Sequence, residues 1–455
     1  MNPREQLCVS KRVMVSSRQE RHLLFAGESG RGTVLNDAGL DVWEAFRLPA
    51  APCEIIATLA AKHTLAPSQQ AALCAFIQRL IKRGLLVRVS QLQRPRTRRT
   101  LPDAAPKLSQ VYLHLTNRCN LRCIYCYNAR YRSQAGAQGE WSHAALSGLI
   151  RQLRALKCEQ VIFTGGEPLL HPHVCEIGVE AREAGMDACL LTNGTLLDRR
   201  AQRVAASFSR VVVSLDSWRA EEHDALRGSG TFARIVRGIR NLVETGKTRV
   251  TLRPVITDRN VVSLAGFPRF AAEVLGCRDF MMALCTPEQL DADSGCDLIP
   301  EPQAYISAVT AFERAVGEVG GSTSSEAVPF EAAGSCGAGT GTLSFAPNGD
   351  VYPCQCMHRP ESLAGNVHRR PLAAIWQTSA VLKAIRTRPM PRFAACVECP
   401  IARICSMRCR AIYQQFAAQE QRFTKRICPL ARLEAEERLW AEATRVEATG
   451  RVQSK

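Results

Sequence analysis

Short apolar stretches alternate with amphipathic stretches through the middle of the chain. Strand patterns occur at 110–115, 160–164, 189–192, 210–214, 249–257 and 278–284. Between strands, 143–156 and 232–244 carry apolar residues at helical spacing, and Gly185 and Gly246 stand where helices would end. Strands that alternate with helices predict an α/β fold, a parallel sheet curled into a partial (β/α)6 barrel of the TIM type. The loops at the carboxyl ends of the strands would then meet at one mouth.

Residues 1–90 follow a different pattern. Strand patterns near 10–15 and 22–26 precede helical patterns at 34–46, 53–62 and 67–83, and Gly84 follows the last of these. Small strands followed by three helices predict a separate domain of winged-helix shape.

Two connectors divide the chain further. Residues 91–107 are rich in arginine and proline and lack an apolar period, which predicts an extended, mobile basic linker. Glycine and serine accumulate at 317–334. The predicted division is a winged-helix-like domain at 1–90, the linker at 91–107, the barrel at 108–300, a connector at 301–333, a cysteine-rich domain at 334–435 and a C-terminal helix and tail at 436–455.

Composition adds a basic charge and many thiols. The 455 residues include 59 Lys and Arg against 42 Asp and Glu, a net charge of +17, and 20 cysteines. Clustered thiols favour a reducing compartment, the amino terminus lacks an apolar signal core, and no apolar run reaches the ~18 residues of a membrane span. We therefore expect a cytoplasmic protein without a membrane partner. Because the charge is spread rather than gathered on a recognition helix, we expect no nucleic-acid partner.

The first cysteine group, Cys119, Cys123 and Cys126, forms a C-x3-C-x2-C pattern directly after the first barrel strand. Thiolate is a preferred ligand of iron-sulfur clusters, and a four-iron cube needs one ligand on each iron. Three thiolates on one loop would therefore leave one iron open. A zinc knuckle or a chance grouping is the alternative for these residues alone.

This loop and the motif Gly-Gly-Glu-Pro at 165–168 resemble the radical S-adenosylmethionine (AdoMet) enzymes, in which the amino and carboxylate groups of AdoMet chelate the open iron. The resemblance implies that Gly165, Gly166 and Glu167 bind the AdoMet amino group. Glycine suits a backbone that approaches a ligand closely, and a carboxylate suits an ammonium group.

The same resemblance assigns residues at other strand ends to AdoMet. It implies that Ser214 and Arg227 contact the AdoMet carboxylate and that Asn193 and Asp216 lie at the ribose end. Tyr125, beside the last cysteine of the loop, matches the aromatic position that lies against adenine. Taken singly, Asn193, Ser214 and Asp216 could equally cap helices or turns.

A second group of cysteines lies near the C-terminus and includes Cys336, Cys354, Cys396, Cys399, Cys405, Cys409 and Cys428. Its spacing resembles the SPASM domain, which holds auxiliary iron-sulfur clusters in many peptide-modifying radical AdoMet enzymes. The resemblance implies two auxiliary clusters of the [4Fe-4S] type. The inner cluster would use Cys336, Cys354 and Cys409, and the outer cluster would use Cys396, Cys399, Cys405 and Cys428.

The inner set contains only three assigned thiolates, because Thr342 stands where fully ligated relatives carry a cysteine. Cys356 is the nearest spare thiol. The sequence leaves open whether Cys356 or another cysteine closes the cluster, or whether one iron stays open for a substrate group. A structural zinc ribbon is the alternative for the spacing from Cys396 to Cys409.

The N-terminal pattern, with Leu35 and Asn36 at its first helix and Arg-Gly-Leu-Leu at 83–86, resembles the peptide chaperone of pyrroloquinoline-quinone biosynthesis. Such domains hold a leader peptide as an added strand on an open sheet edge. A DNA-binding winged helix, favoured by the net charge, is the competitor. An acidic leader peptide would suit the same charge.

Together these resemblances imply a radical AdoMet oxidoreductase that modifies a ribosomally synthesised precursor peptide, with electrons from a donor of the flavodoxin or ferredoxin type. A 5'-deoxyadenosyl radical would remove hydrogen from the peptide, which then forms a thioether or a carbon–carbon or carbon–oxygen crosslink. A sulfatase-maturase-like or tetrapyrrole- or cofactor-biosynthesis enzyme is the first alternative. A non-catalytic, metal-stabilised peptide scaffold is the second. The sequence identifies no general base.

Overall fold

The computed structural model describes residues 5–91, 106–129, 131, 139–285, 298–323, 336–388 and 390–448. Most of the predicted linker at 91–107, part of the predicted connector at 301–333 and the end of the predicted tail lie outside these ranges. None of the helices in the described ranges is long and apolar enough to span a membrane.

The N-terminal unit is a small sheet covered by three helices. Its strands are β1 (Leu7–Val9), β2 (Val13–Arg18), β3 (Arg21–Ala26), β4 (Arg31–Leu35) and β5 (Leu86–Arg88). Its helices are α1 (Asp37–Glu44), α2 (Pro52–His63) and α3 (Pro67–Arg83). Strands β2, β3 and β4 form an antiparallel sheet in that order, and β1 pairs with β5.

Local signals set the ends of these helices. The Asn36 side chain caps α1 by accepting a hydrogen bond from Gly39 N, 3.0 Å away. Gly84 ends α3 with a φ of +74°, a conformation that favours glycine. The two strands and three helices expected here are confirmed, although the first strand begins at Val13 rather than at residue 10. The helix expected at 34–46 is shorter than predicted, because residues 34 and 35 end β4 and α1 begins at Asp37. The short strands β1, β4 and β5 were not predicted from the pattern.

Both faces of the N-terminal sheet are buried. Leu24 packs on one face with the core formed by the helices. Leu23 and Phe25 point to the other face, where they pack against the C-terminal helix of the chain. Trp440 on that helix donates a hydrogen bond from Nε1 to Ser16 Oγ at 2.8 Å. The N-terminal unit is therefore docked on the C-terminal part of the protein.

The central unit contains the predicted barrel. Its strands are β6 (Gln110–His114), β7 (Gln160–Thr164), β8 (Asp187–Thr192), β9 (Arg210–Val213), β10 (Arg249–Leu252), β11 (Val255–Ile256), β12 (Asp279–Phe280), β13 (Ala283–Leu284) and β14 (Ser322–Thr323). Its helices are α4 (His143–Ala155), α5 (Val174–Glu183), α6 (Leu197–Ser207), α7 (Ala220–Arg227), α8 (Thr231–Glu244), α9 (Phe267–Leu275) and α10 (Pro302–Glu318). Strands β6 to β10 and β12 run parallel in sequence order, which confirms the six strands and the α/β fold class.

Side chains on the barrel strands alternate between two apolar layers. Val111 and Leu113 of β6 join the large core beneath the outer helices. Tyr112, between them, packs inside the barrel with Ile162 and Val212. This period of two is the one expected for a strand that is buried on both faces.

The C-terminal unit continues the barrel sheet. Its strands are β15 (Thr342–Phe345), β16 (Asp350–Tyr352) and β17 (Gly365–Asn366), and its helices are α11 (Leu372–Thr378), α12 (Ala380–Thr387), α13 (Arg410–Phe416) and α14 (Glu420–Ala448). β15 pairs in parallel with β6 and antiparallel with β16, so the hairpin of β15 and β16 lies beside the first barrel strand. Helix α14 begins at Glu420, well before the predicted residue 436, and places Cys428 on a helix.

Candidate active site

The first cysteine loop follows β6 at the carboxyl end of the barrel. Cys123 lies within electrostatic range of both Cys119 and Cys126. Two local bonds shape the loop: Leu121 N donates to Cys119 Sγ at 3.5 Å, and Ile124 N donates to Leu226 O at 3.0 Å. Burial raises the pKa of Cys123 to about 11, against the opposing charge of Arg227. A metal must therefore displace the thiol proton when it binds here.

The Gly-Gly-Glu-Pro loop after β7 packs directly on the cysteine loop. Gly166 N donates to Thr116 O at 2.7 Å, and Glu167 N donates to Arg118 O at 2.8 Å. A Cβ atom on Gly165 would overlap the Thr116 carbonyl oxygen, and one on Gly166 would overlap that of Arg118. Gly165 also has a φ of +132°. The sequence predicts these glycines for close approach to a ligand, and the structure adds a second reason, the close approach of two loops.

Replacing Gly166 by Ala is expected to push the two loops apart, because the new methyl group would overlap the backbone carbonyl of Arg118 in the cysteine loop. Overpacking of this kind costs about 1–3 kcal/mol. The variant should unfold at lower urea concentration and hold less iron after anaerobic reconstitution. Gly148→Ala is the control, since Gly148 lies inside α4 with only the end of Arg151 near its added methyl group. Alanine there should stabilise the helix by about 0.5–1 kcal/mol. Equal effects of the two substitutions would contradict the packing argument.

Glu167 is completely buried and holds several backbone segments together. Its carboxylate accepts hydrogen bonds from Thr192 Oγ1 at 2.8 Å, Asn193 N at 2.7 Å and Leu169 N at 3.0 Å. Burial raises the pKa of Glu167 to about 7, although these donors oppose the shift. A carboxylate offers about four acceptor positions. One position therefore remains for a further donor such as an ammonium group.

Asn193 connects the end of β8 to the cysteine loop. Its Nδ2 donates to Asn120 Oδ1 at 2.8 Å and lies 3.9 Å from Cys119 Sγ. Its Oδ1 accepts from the backbone and hydroxyl of Thr195. The side chain thus orients Cys119, and any contact with a ribose would have to share these bonds.

Tyr125, Asp216 and Arg227 form one buried network beside Cys123. Asp216 accepts from the Tyr125 hydroxyl, from Arg227 Nε at 2.7 Å and Nη2 at 3.1 Å, and from Val255 N at 3.0 Å. Burial alone would raise the pKa of Asp216, but the Arg227 guanidinium holds that pKa below its usual range. Arg227 Nη1 lies 4.0 Å from Cys123 Sγ, and its guanidinium lies 5.5 Å from the Tyr125 ring centre. The network therefore fixes a positive charge next to the Cys123 thiol.

Ser214, at the end of β9, differs from these residues. It is half-buried, its backbone N donates to Thr192 O at 3.0 Å, and its hydroxyl has no hydrogen-bond partner among the described residues. Of the eight predicted AdoMet-contacting residues, six follow the ends of β7, β8 and β9, Tyr125 lies in the cysteine loop, and Arg227 ends α7. The Ser214 hydroxyl is available to a ligand at this mouth.

Sequence reasoning missed three polar residues at this mouth. Asn128 Nδ2 donates to Gly165 O at 2.6 Å. His223 Nδ1 accepts from Asp216 N at 3.2 Å, and its spacing of four residues from Arg227 on α7 was the available signal. His114 points into the barrel, 4.5 Å from the His358 ring, and burial lowers its pKa to about 4. His114 is therefore neutral at physiological pH.

The later cysteines gather in two groups. Cys336, Cys354 and Cys409 pack against a small core of Ala338, Met357 and Ala411. Among the outer residues, Cys405 and Cys428 each lie within electrostatic range of Cys396 and Cys399. Burial, reinforced by the neighbouring thiols, raises the pKa of Cys405 to about 12 and that of Cys428 to about 11.

These donor sets fit iron-sulfur clusters. Each is made of soft thiolates, and backbone amides donate to the sulfurs of Cys119 and Cys354. In the part of the chain that the structure describes, no group of three or more His, Cys, Asp or Glu residues is arranged to hold a single ion.

Family models match two parts of this chain. Residues 113–266 match the radical SAM superfamily, where SAM is AdoMet, and residues 336–400 match SPASM, an iron-sulfur cluster-binding domain. Both domains predicted from the cysteine patterns are thereby confirmed. The second match ends before Cys405, Cys409 and Cys428.

Curated relatives cover the same region. The chain is 30% identical over 299 residues to the mycofactocin maturase MftC of Mycobacterium tuberculosis, an alignment that covers 63% of this chain and 74% of the relative. It is 28% identical over 331 residues to the AdoMet-dependent heme synthase of Methanosarcina barkeri, with 68% and 92% covered.

Solved structures share the fold. Streptococcus suis SuiB bound to S-adenosylmethionine matches with a TM-score of 0.56 and 14% identity, over 90% of this chain and 96% of SuiB. Native anSMEcpe with bound AdoMet and a Cp18Cys peptide matches with a TM-score of 0.54 and 18% identity, over 74% and 99%. The present chain therefore shares its fold with SuiB and with anSMEcpe, both of which have been solved with AdoMet bound.

Proposed function

Because the chain belongs to the radical SAM superfamily and carries a SPASM domain, we propose that this enzyme modifies a ribosomally made precursor peptide by removing hydrogen and closing a thioether or a carbon–carbon or carbon–oxygen bond. The observation that carries the proposal is the convergence of Asn193, Glu167 and Arg227 on the loop of Cys119, Cys123 and Cys126. When bound, a reduced cluster with AdoMet supplies hydrogen-atom abstraction.

Each residue of the mouth has a proposed part. Cys119, Cys123 and Cys126 hold three irons of the cluster. Gly165, Gly166 and Glu167 receive the AdoMet amino group, for which the Glu167 carboxylate keeps one acceptor position.

The AdoMet carboxylate is proposed to lie between Ser214 and Arg227. Ser214 offers an available hydroxyl, and Arg227 offers a guanidinium that Asp216 holds in place. Tyr125 lies beside this guanidinium, where the adenine contact is proposed. Since Asn193 and Asp216 already use their polar atoms within the protein, we propose that they act mainly by orienting Cys119 and Arg227.

The N-terminal unit is the proposed leader site. Strand β4 is an edge of its sheet. Arg83 Nη1 donates to Gly32 O at 2.8 Å, so this carbonyl points away from β3. Because residues two apart along an antiparallel strand direct their backbone groups to the same side, the N–H and C=O groups of Val34 also point away from β3. A leader strand could add to this edge beside α3, as in β-strand augmentation. SuiB, which shares the fold, has been solved with its precursor peptide SuiA.

The proposal is tested by examining the reading frames beside this gene and using any short peptide that they encode as the substrate. After anaerobic reaction, mass spectrometry should show that the complete peptide loses two hydrogens, while the same peptide without its leader is unchanged. Leader peptides N-methylated at successive positions should lose affinity at alternate positions only, because one set of amides pairs with the β4 edge. Equal modification without the leader, or equal loss at every methylated position, would contradict the leader site.

A second candidate is the modification of a tetrapyrrole, which the similarity to AdoMet-dependent heme synthase favours. The same assay with an iron porphyrin in place of the peptide distinguishes the two. Turnover of the porphyrin, with no change in the peptide, would establish the second candidate. We favour the peptide because a three-stranded sheet with an edge at β4 accompanies the barrel in this chain.

A further inference from the structure

The inner cysteine group has a fourth member. Cys356 packs against the same small core of Ala338, Met357 and Ala411 as the thiols of Cys336, Cys354 and Cys409. Three separate segments bring these thiols together: the turn before β15, the turn after β16 and the start of α13. Four half-buried thiols against one core form a complete set of ligands for a four-iron cube.

The turn that carries Cys356 resembles the first cysteine loop in its hydrogen bonding. Cys356 N donates to Cys354 Sγ at 3.3 Å, and Met357 N donates to Cys354 O at 3.1 Å. In the first loop, the amide two residues after Cys119 donates to Cys119 Sγ in the same way. Such amide bonds orient a ligand sulfur and stabilise its charge.

Thr342 does not fill the missing position. Its hydroxyl accepts a hydrogen bond from Gln110 Nε2 at 3.3 Å, which ties it to β6. A neutral hydroxyl is also a poorer ligand for iron-sulfur clusters than a thiolate. A thiolate from another part of the chain is therefore the better donor.

Cys356 also lies close to the first cysteine loop. Tyr127, which follows the last cysteine of that loop, is within electrostatic range of both Cys126 and Cys356.

We propose that Cys356 supplies the fourth thiolate of the inner auxiliary cluster, so that no iron of that cluster is open to the substrate. This inference rests on the proposed function, in which the SPASM domain holds auxiliary clusters, and on the resemblance that assigns Cys336, Cys354 and Cys409 to the inner one. The inner cluster then carries electrons without binding the peptide. The peptide must instead be held by protein contacts, among them the proposed leader site.

The test uses the full-length chain with Cys119, Cys123 and Cys126 all replaced by Ala, which leaves only auxiliary clusters. We expect about eight irons per chain, in two four-iron clusters. Potassium cyanide, which binds an open iron, should leave the low-temperature electron paramagnetic resonance (EPR) spectrum of the reduced protein unchanged. A shift of that spectrum in this parent protein would show an open iron and overturn the proposal.

Cys356→Ala in the same parent should lose between about one and four irons, or keep a cluster whose spectrum now shifts with cyanide. Cys354→Ala should also lose iron, and Cys356→Ser should keep more iron than Cys356→Ala with an altered spectrum, because serine is a weaker ligand. Cys74→Ala, on α3 in the N-terminal unit, should match the parent. A Cys356→Ala protein with the iron content and cyanide response of the parent would overturn the proposal.

The experiment distinguishes failure of the auxiliary clusters from failure of the Cys356 role. If the parent binds no iron at all, the assignment of auxiliary clusters in the proposed function fails, and the role of Cys356 fails with it. If the parent binds its iron whether or not Cys356 is present, only the role of Cys356 fails.

Discussion

Replacement of Cys123 by Ala is expected to reduce 5'-deoxyadenosine formation below detection. Cys123 is the middle ligand of the proposed AdoMet cluster, and Arg227 Nη1 lies 4.0 Å from its sulfur. Removing this thiolate leaves two ligands on the loop, too few to hold a cube with a single open iron. Chromatography of the nucleoside after anaerobic reduction with AdoMet measures the effect.

Cys277→Ala is the matched control for that experiment. Burial raises the pKa of Cys277 to about 11, as it does for Cys123, but its thiol lies 3.2 Å from Val250 O, away from the cysteine loop. Its removal should cost some stability and leave cleavage of AdoMet intact. Undiminished cleavage by Cys123→Ala would show that this thiol is not a cluster ligand.

Replacement of Cys399 by Ala is expected to separate cleavage of AdoMet from formation of product. Cys399 belongs to the outer group with Cys405 and Cys428. The product has two hydrogens fewer than the peptide, but the deoxyadenosyl radical removes only one hydrogen atom, so one proton and one electron must also leave, and we propose that the auxiliary clusters accept this electron. Nucleoside formation should therefore persist, while modified peptide should fall by at least about 100-fold, or about 2.7 kcal/mol in barrier height.

Both products are quantified in the same reaction, the nucleoside by chromatography and the peptide by mass spectrometry. Cys277→Ala, whose thiol lies in the barrel away from both cysteine groups and from the N-terminal unit, should form both at the rate of the unmodified enzyme. If Cys399→Ala forms modified peptide normally, the outer group has no part in the reaction. If it forms no nucleoside either, its role is structural rather than in electron transfer.

The position of the site could be predicted because it depends on local patterns. Short apolar stretches located the six barrel strands, and parallel strands bring their carboxyl ends to one edge. Glu167, Asn193 and Asp216 each follow such a stretch, so the pattern places them at one mouth, whereas their selection as site residues came from the family resemblance.

The division of one predicted strand into two was harder to predict from the sequence. The stretch 249–257 was expected to be a single strand, but the structure divides it into β10 and β11 at Arg253 and Pro254. Proline cannot donate a ladder hydrogen bond. As a result, β10 pairs with β9 and β12, whereas β11 pairs with β13. Pro254 can be read from the sequence, but the sequence does not show that β10 and β11 would pair with different strands.

Contacts between distant segments could not be predicted at all. The pairing of β15 with β6 joins Thr342 to Gln110 across most of the barrel sequence. No local pattern specifies such a parallel partner. The packing of Gly165 and Gly166 on the cysteine loop and the placement of Cys356 with the inner thiols likewise depend on the complete fold.

The central claim is that the thiolates of Cys119, Cys123 and Cys126 leave one iron of a cube open for AdoMet. The most direct measurement is the low-temperature EPR spectrum of the anaerobically reduced, full-length protein before and after addition of AdoMet. We predict a cluster signal that shifts when AdoMet is added and that is missing from the Cys123→Ala protein. A spectrum that AdoMet leaves unchanged would contradict the claim.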